Sequence, residues 1–416
     1  MKSPLVLYKE SFSGLSRPVW LLSLVMLINR AGTMVIPFLT IYLTSELQFT
    51  KFEAGMVMSV FGVGSVIGSM LGGYLSEMVG YFKVMFVSLF LSGFGFYSLL
   101  WADTFNEVAI QIFCLSVISE SFRPAAQVAI GAYSKPENRL MSISLLRLAI
   151  NLGFAFGPFI GGLIAQGAGY GGLFIVDGTT CIAASIFFLI ILSPKKVPVK
   201  DKDDDLAAAI GDDRTPIKDR TYLAFLLFTM LTAVVFMHLF SVFPVYLKEV
   251  WLLEEHQVGL LMGLNGFIIV IYEMPLVAKL SNAKKYRPLN IIAIGVFMIG
   301  ISFLVFNFIG WIGVLIISTL FVTFGEILFM PFSNTWAINW APKARSGRYM
   351  SWFTMVYSVA HIVSPSMGMA IVDKFGFTEL WYLLGLLCVL SGLGFLSLKK
   401  SKNVKLVELH TDAMTQ

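Results

Sequence analysis

The stretch LVMLINRAGTMVIPFLTIYL, residues 24–43, is long and apolar enough to cross a bilayer, yet it carries Arg30 near its middle. A charged side chain facing lipid at that depth costs at least about 2.5 kcal/mol, so Arg30 needs a wet or polar surrounding supplied by the protein. Similar apolar runs recur along nearly the whole chain of 416 residues. Only 13% of the residues are charged and the mean hydropathy is +0.80, whereas a soluble domain carries about 25% charged residues. The chain therefore reads as a polytopic membrane protein. Continuous runs of this length fit helices; barrel strands alternate polar and apolar residues instead.

Hydropathy places twelve spans, near 19–43, 54–75, 84–102, 108–131, 141–166, 173–193, 221–247, 258–280, 289–308, 311–335, 350–372 and 381–398. The expected fold class is an all-α membrane protein with twelve transmembrane helices in two pseudo-symmetric six-helix bundles. The first bundle is residues 1–193 and the second 221–398. Between them 194–220 is charged and poor in aromatics, a cytoplasmic linker, and 399–416 is a cytoplasmic tail. With the N-terminus inside, all but six of the 30 lysines and arginines fall in inner loops and tails. The outer loops keep Lys51, Lys248 and Lys374, and Arg30, Arg123 and Arg147 lie within spans. That asymmetry puts both termini and the linker in the cytoplasm. The net charge of +5 belongs to this orientation, not to nucleic-acid binding. A polar stretch of 18 residues precedes the first full-length span, so no cleaved signal peptide is expected. Cys114, Cys181 and Cys388 each stand alone in an apolar run, with no disulfide or metal pattern.

The halves echo each other. VIPFLTIYL in span 1 matches VFPVYLKEV in span 7, and AGMVMSVFG (54–62) aligns with VGLLMGLNG (258–266). RLMS (139–142) and RYMS (348–351) enter spans 5 and 11, while Glu120 and Pro124 of span 4 parallel Glu326 and Pro331 of span 10. Two parallel repeats of six spans point to a transporter with its site at midplane between them.

NLGFAFGPFIGG (151–162) in span 5 resembles the glycine-proline motif of the major facilitator superfamily, in the form typical of its proton-coupled drug antiporters. Gly153, Gly157, Pro158 and Gly161 carry it. GGYLSEMVGYFK (72–83) resembles the inner-loop motif of the same superfamily, with Gly73, Glu77, Gly80 and Lys83 in matching places; Met78 and Tyr81 stand where basic residues are usual. The resemblance implies gating roles for these residues; Arg147, four positions before Asn151 near the cytoplasmic end of span 5, can reach inner-loop groups and reads as a further gating residue. It also implies a bacterial cytoplasmic (inner) membrane. A weaker similarity runs to proton-coupled oligopeptide transporters, through SESFRPAAQVAI (119–130) and FGEILFMP (324–331). The acidic-acidic-arginine signature of that group is missing from span 1, where only Asn29 and Arg30 stand.

In the fold so implied, spans 1, 4, 7 and 10 line a central cavity. Each of them bears an ionisable residue: Arg30, Glu120 with Arg123, His238, and Glu326. Glu120, Glu326 and His238 are the candidates for proton coupling. A carboxylate out of water holds its proton more tightly and an adjacent arginine reverses this, so an arginine that moves during the cycle captures or releases a proton. Glu120 and Arg123, three apart, share a helix face and suit a local pair. Arg30, Arg123 and Asn29, with an aromatic wall that includes Phe38, Tyr42, Tyr246 and Trp336, are the candidates for substrate contact. Asp177, in the outer part of span 6, reads as a cap or a snorkelling side chain, and Glu273 as a partner of the loop at 283–287. His361 is on a span outside the cavity set.

The expected activity is alternating-access, proton-coupled export of small amphipathic compounds, with proton-driven uptake of peptides or other zwitterions as the alternative. The partners are then a small-molecule substrate, protons and lipid, with no cofactor, and one chain holds a whole pseudo-symmetric transporter able to act as a monomer. No nucleophile-base constellation, metal-ligand pair or phosphate loop points to an enzyme.

Overall fold

The computed structural model describes residues 15–32, 34–134, 138–195, 215–281, 287–308, 310–341 and 346–399. Most of the stretch 194–220, the tail beyond Lys399, and all but Arg287 of the loop at 283–287 expected to partner Glu273 lie outside the described residues. Among the described residues all regular structure is helical. Ten stretches are long and apolar enough to cross a membrane, and two of these, Lys51–Trp101 and Met141–Ile191, hold 51 residues each.

The first expected span is broken. Helix α1 (Arg17–Ala31) ends where the Gly32 N–H bonds back to the Ile28 carbonyl at 2.9 Å, and α2 (Val35–Ser45) starts anew. Gly32 is a poor helix former, and Pro37 has no N–H to give to a continuing helix. Helix α3 (Lys51–Leu75) begins at a capping box between Thr50 and Glu53, and α5 (Phe105–Glu120) at the same device between Thr104 and Glu107. A π-helical turn, Ser76–Gly80, leads from α3 into α4 (Tyr81–Ser98), and Gly80 there takes a φ of 92°. Helix α6 (Phe122–Tyr133) follows α5 after an offset at Ser121. Helix α7 (Arg139–Ile191) joins the fifth and sixth expected spans and turns at Gly169, with φ 71° and ψ 177°. Both glycines occupy backbone regions that a side chain would strain.

Helices α8 (Arg220–Ser241), α9 (Phe243–Glu249), α10 (Glu255–Ser281), α11 (Pro288–Leu304), α12 (Val314–Trp340), α13 (Ser346–Phe375) and α14 (Phe377–Leu398) complete the chain. The residues fall into two compact units, within Met1–Val199 plus Phe240–Ile271 and within Lys200–Leu239 plus Tyr272–Gln416. The unit boundary thus passes through the seventh and eighth expected spans.

In the first unit the span-5 glycines are close-packing points. A Cβ on Gly153 would collide with the Arg30 Cβ, one on Gly157 would lie 3.4 Å from the Ala31 carbonyl oxygen, and one on Gly161 would lie 2.9 Å from the Met34 Cβ. All three therefore press on the broken part of the first span. The other side of the same helix meets α10: a Cβ on Gly259 would strike the Pro158 carbonyl, and one on Gly266 would sit 2.6 Å from the Ala155 Cα. Small residues on both surfaces let backbones approach, which is how helices gain dispersion contact where lipid offers no hydrophobic contrast.

In the second unit Phe225 of α8 stacks on Trp336 of α12, with ring centroids 4.1 Å apart, and Trp336 stacks on Trp340 at 5.1 Å. Asp219, just before α8, accepts from the Trp340 indole at 2.8 Å and the Tyr349 hydroxyl at 3.2 Å.

Gly153→Val should lower the melting temperature in detergent, because overpacking at a backbone contact costs about 1–3 kcal/mol. Gly73→Ala, at a position with nothing within 4 Å, should leave it unchanged.

Candidate functional site

Arg30 stands in the last turn of α1, one residue before that helix stops. Its Nη1 lies 3.7 Å from Oε1 of Glu120, the last residue of α5, and the two side chains are each 13% exposed. The Arg30 guanidinium also lies 5.8 Å from the ring centre of Phe154, on the span-5 leg of α7. Cation and carboxylate thus meet where two helices are interrupted, with an aromatic face beside them. Asn29, adjacent to Arg30, is buried.

The local pair expected between Glu120 and Arg123 is not what forms. Ser121 lies between them at helical dihedrals (φ −66°, ψ −22°), its hydroxyl 2.8 Å from the Val117 carbonyl and 2.9 Å from the Gly68 carbonyl. Glu120 faces Arg30, and Arg123 is exposed.

His238 is fully buried. Its Nδ1 lies 2.8 Å from both the Val234 carbonyl and the Ser364 hydroxyl, and Ser364 itself donates to Val234 at 2.9 Å. The imidazole thus ties α8 to α13. Glu326 is half-buried on α12, with the Tyr357 phenol of α13 in electrostatic reach of it.

The expected aromatic wall is largely packing. Phe38 is fully buried against Gly161, Tyr246 and Trp336 are buried, and only Tyr42 is half-buried, its ring edge-on to Phe174 at 5.1 Å. Of the inner-loop residues, Glu77 and Lys83 are exposed, as is Arg147 on α7. Tyr81, which stands where the motif usually has a basic residue, is buried; the Lys195 N–H donates to its hydroxyl at 2.9 Å. His361 and Glu273 are half-buried.

Two features escaped sequence reasoning. The first is a polar cluster in the first unit: Lys51 pairs with Glu249 at 2.9 Å, Lys248 pairs with Glu255, the Tyr170 hydroxyl donates to Glu255 at 3.0 Å, and Gln166 donates to Glu254. It joins the start of α3, the turn of α7 at Gly169, the end of α9 and the start of α10. The signal was present, since two of the three outer-loop lysines and the acids of KEVWLLEE take part. The second is the partner of Asp177: the side chain is wholly buried and does not snorkel, and of its two expected roles the cap is the one that forms, on a distant helix, where the Val35 N–H at the start of α2 donates to its Oδ2 at 2.8 Å. A cavity of about 370 Å³ on the second unit, lined by Pro216, Lys218, Arg348 and Trp352 among others, contains none of these buried charges.

The sequence matches the family profile of the Major Facilitator Superfamily over residues 19–339 and again over 253–411. The chain belongs to the Major Facilitator Superfamily. This transporter is 24% identical over 396 residues to a Na(+), Li(+), K(+)/H(+) antiporter of Planococcus maritimus, covering 88% of this chain and 92% of the relative. It is 25% identical over 199 residues to the multidrug resistance protein MdtG of Klebsiella pneumoniae, covering 46% of this chain and 48% of that one. Among solved structures, a peptide transporter POT in complex with sulfate superposes with a TM-score of 0.78 at 17% identity, covering 93% of this chain and 95% of that one. At that identity the likeness concerns the fold. The protein is thus a multi-pass membrane transporter and not an enzyme.

Arg30→Lys should cut transport roughly tenfold, since an ammonium keeps the charge but not the planar fork that can close the 3.7 Å ion pair onto a carboxylate in two-pronged geometry. Initial rates in proteoliposomes check this; wild-type rates would leave Arg30 a role in packing alone.

Proposed function

We propose that this transporter is a proton-driven antiporter that exports small amphipathic compounds by alternating access. The observation that carries the reading is the Arg30–Glu120 pair: two opposite charges, largely shielded, at the broken ends of two membrane helices. Such a pair is stable while closed, and a carboxylate that loses its arginine takes up a proton instead. Glu326 provides a second exchangeable carboxylate, and Arg30, Asn29 and Tyr42 provide polar and aromatic substrate contacts. His238 and Ser364 serve as a joint between helices on this reading. Full-length similarity to an ion/proton antiporter and partial similarity to a multidrug resistance protein support antiport. The first of these favours a second reading of the cargo, a monovalent metal cation.

Two further parts of the reading concern architecture. Lys51–Trp101 and Met141–Ile191, at 51 residues each, extend about 77 Å as straight helices, more than twice the hydrocarbon thickness. Turned at Gly80 and Gly169, each supplies two spans, which brings ten stretches to twelve and supports two six-helix repeats. The cluster of Lys51, Lys248, Glu249 and Glu255 then acts as a clasp at the outer ends of the helices, opposite the inner-loop motif of Gly73, Glu77, Gly80 and Lys83. Both termini and residues 194–220 are cytoplasmic, and the membrane is the bacterial cytoplasmic one.

Single cysteines placed in 194–220 should react with membrane-impermeant maleimide only in inverted vesicles; labelling of intact cells would reverse the orientation. In proteoliposomes with an imposed pH gradient, lipophilic cations should be moved against their own gradient with counterflow of protons. Sodium, potassium and dipeptides, run in parallel, separate the other cargoes. Glu326→Gln should abolish the gradient-driven component and retain substrate exchange; an undiminished response to pH would remove Glu326 from coupling.

A further inference from the structure

Asp177 is the one carboxylate among the described residues with no exposed surface at all. It lies on the leg of α7 that follows Gly169, facing the break between α1 and α2. Its Oδ2 accepts the Val35 N–H at 2.8 Å, while its Oδ1 is buried with no hydrogen-bond partner. The fit around it is tight: a Cβ on Gly32 would collide with the Thr180 hydroxyl, and Thr180 in turn donates to the Asp177 carbonyl at 3.0 Å. On the opposite side Gly178 meets Tyr97 of α4, whose hydroxyl is hydrogen-bonded to Thr179 at 2.8 Å.

The titratable and charged groups on the surrounding elements are few. Arg30 on α1 is turned toward Glu120, Cys181 is one turn along the same helix, Tyr97 is on α4, and Tyr42 of α2 packs on Phe174. Among the described residues no cation is bonded to Asp177. The positive end of α2, about half an elementary charge, and the backbone N–H groups of Val35 and Met34 are what the fold offers to an anion there. An anion with one oxygen uncovered is expensive at this depth. A neutral carboxyl group is much less so, and it can still accept the Val35 N–H through its carbonyl oxygen.

We propose that Asp177 is a proton-binding site of this transporter, separate from Glu120 and Glu326, and that its proton occupancy sets the break in the first span. Ionised, the carboxylate holds the first turn of α2 firmly through Val35 and the helix dipole. With a proton bound the hold weakens, and α1 and α2 shift relative to each other across Gly32. Arg30 is five residues from Val35 on the same chain, so this movement opens or closes its contact with Glu120. The proposal rests on the proton-coupled reading above and adds to it a site on a helix outside the expected cavity set.

The test uses the full chain in proteoliposomes. Dicyclohexylcarbodiimide, an apolar reagent that attacks protonated carboxyl groups in membranes, should modify Asp177 in the wild-type protein, with the yield falling at least tenfold from acid to alkaline pH as read by peptide mass spectrometry. Asp177→Asn, which keeps the cap and cannot bind the proton, should retain substrate exchange and flatten the pH dependence of transport. Absence of carbodiimide modification at every pH, or an Asp177→Asn protein with the wild-type pH profile, overturns the proposal and leaves Asp177 as a helix cap. Should Asp177→Asn fail to fold, the wild-type modification decides alone. The labelling needs no substrate, so its result stands apart from substrate-driven proton movement, whose absence would instead sink the proton-coupled reading.

Discussion

The close approach of the span-5 leg of α7 to the broken first span is the contact from which the rest of the site follows. Gly153, Gly157 and Gly161 present bare backbone to Arg30, Ala31 and Met34. That approach holds the ends of α1 and α2 in place, leaves the Arg30 side chain directed at Glu120, and brings Phe154 beside its guanidinium. Pro158 and Ala155, on the opposite side of the same leg, receive the glycines of α10. One helix therefore fixes two others at backbone distance, and a side chain on Gly153 would strike Arg30 itself.

Helix interruption and buried charge occur together for a physical reason. An unbroken helix satisfies its own backbone and has no dipole end in the middle of the membrane. A broken one exposes N–H groups, carbonyls and partial charges that a buried side chain can answer. Arg30 stands at the C-terminal end of α1, where a cation is favoured, and Asp177 meets the N-terminal end of α2, where an anion or a carboxyl group is favoured.

Buried polar side chains elsewhere act as joints between helices. His238 and Ser364 share the Val234 carbonyl, Thr232 and Ser391 bond hydroxyl to hydroxyl at 2.7 Å, and Tyr222 donates to the Tyr349 carbonyl. In hydrocarbon such bonds are modest in strength, but leaving either partner unmade costs more than the bond yields, so they fix rotation and register.

Much of this was legible from residues alone. Long apolar runs dictate membrane helices because no other structure satisfies the backbone there, and ionisable residues inside those runs mark where water or partners must exist. The glycine spacing of span 5 announced a close-packing face, and TKFE and TFNE announced helix starts. The partners of the charges were not legible. Glu120 was matched to Arg123 by spacing, a rule that permits a pair without requiring one, and the tertiary structure gave it to Arg30, 90 positions away. Phe38 and Trp336 looked like cavity lining because apolar side chains suit both a wall and a core, and rotation about the helix axis decided for the core. Asp177 looked peripheral by its depth in span 6, yet the break at Gly32 brought a backbone N–H to it. Composition and pattern determine that a helix must cross the membrane and which groups it carries. Only packing sets how each helix is turned and where it breaks, because those depend on contacts between residues far apart in the chain.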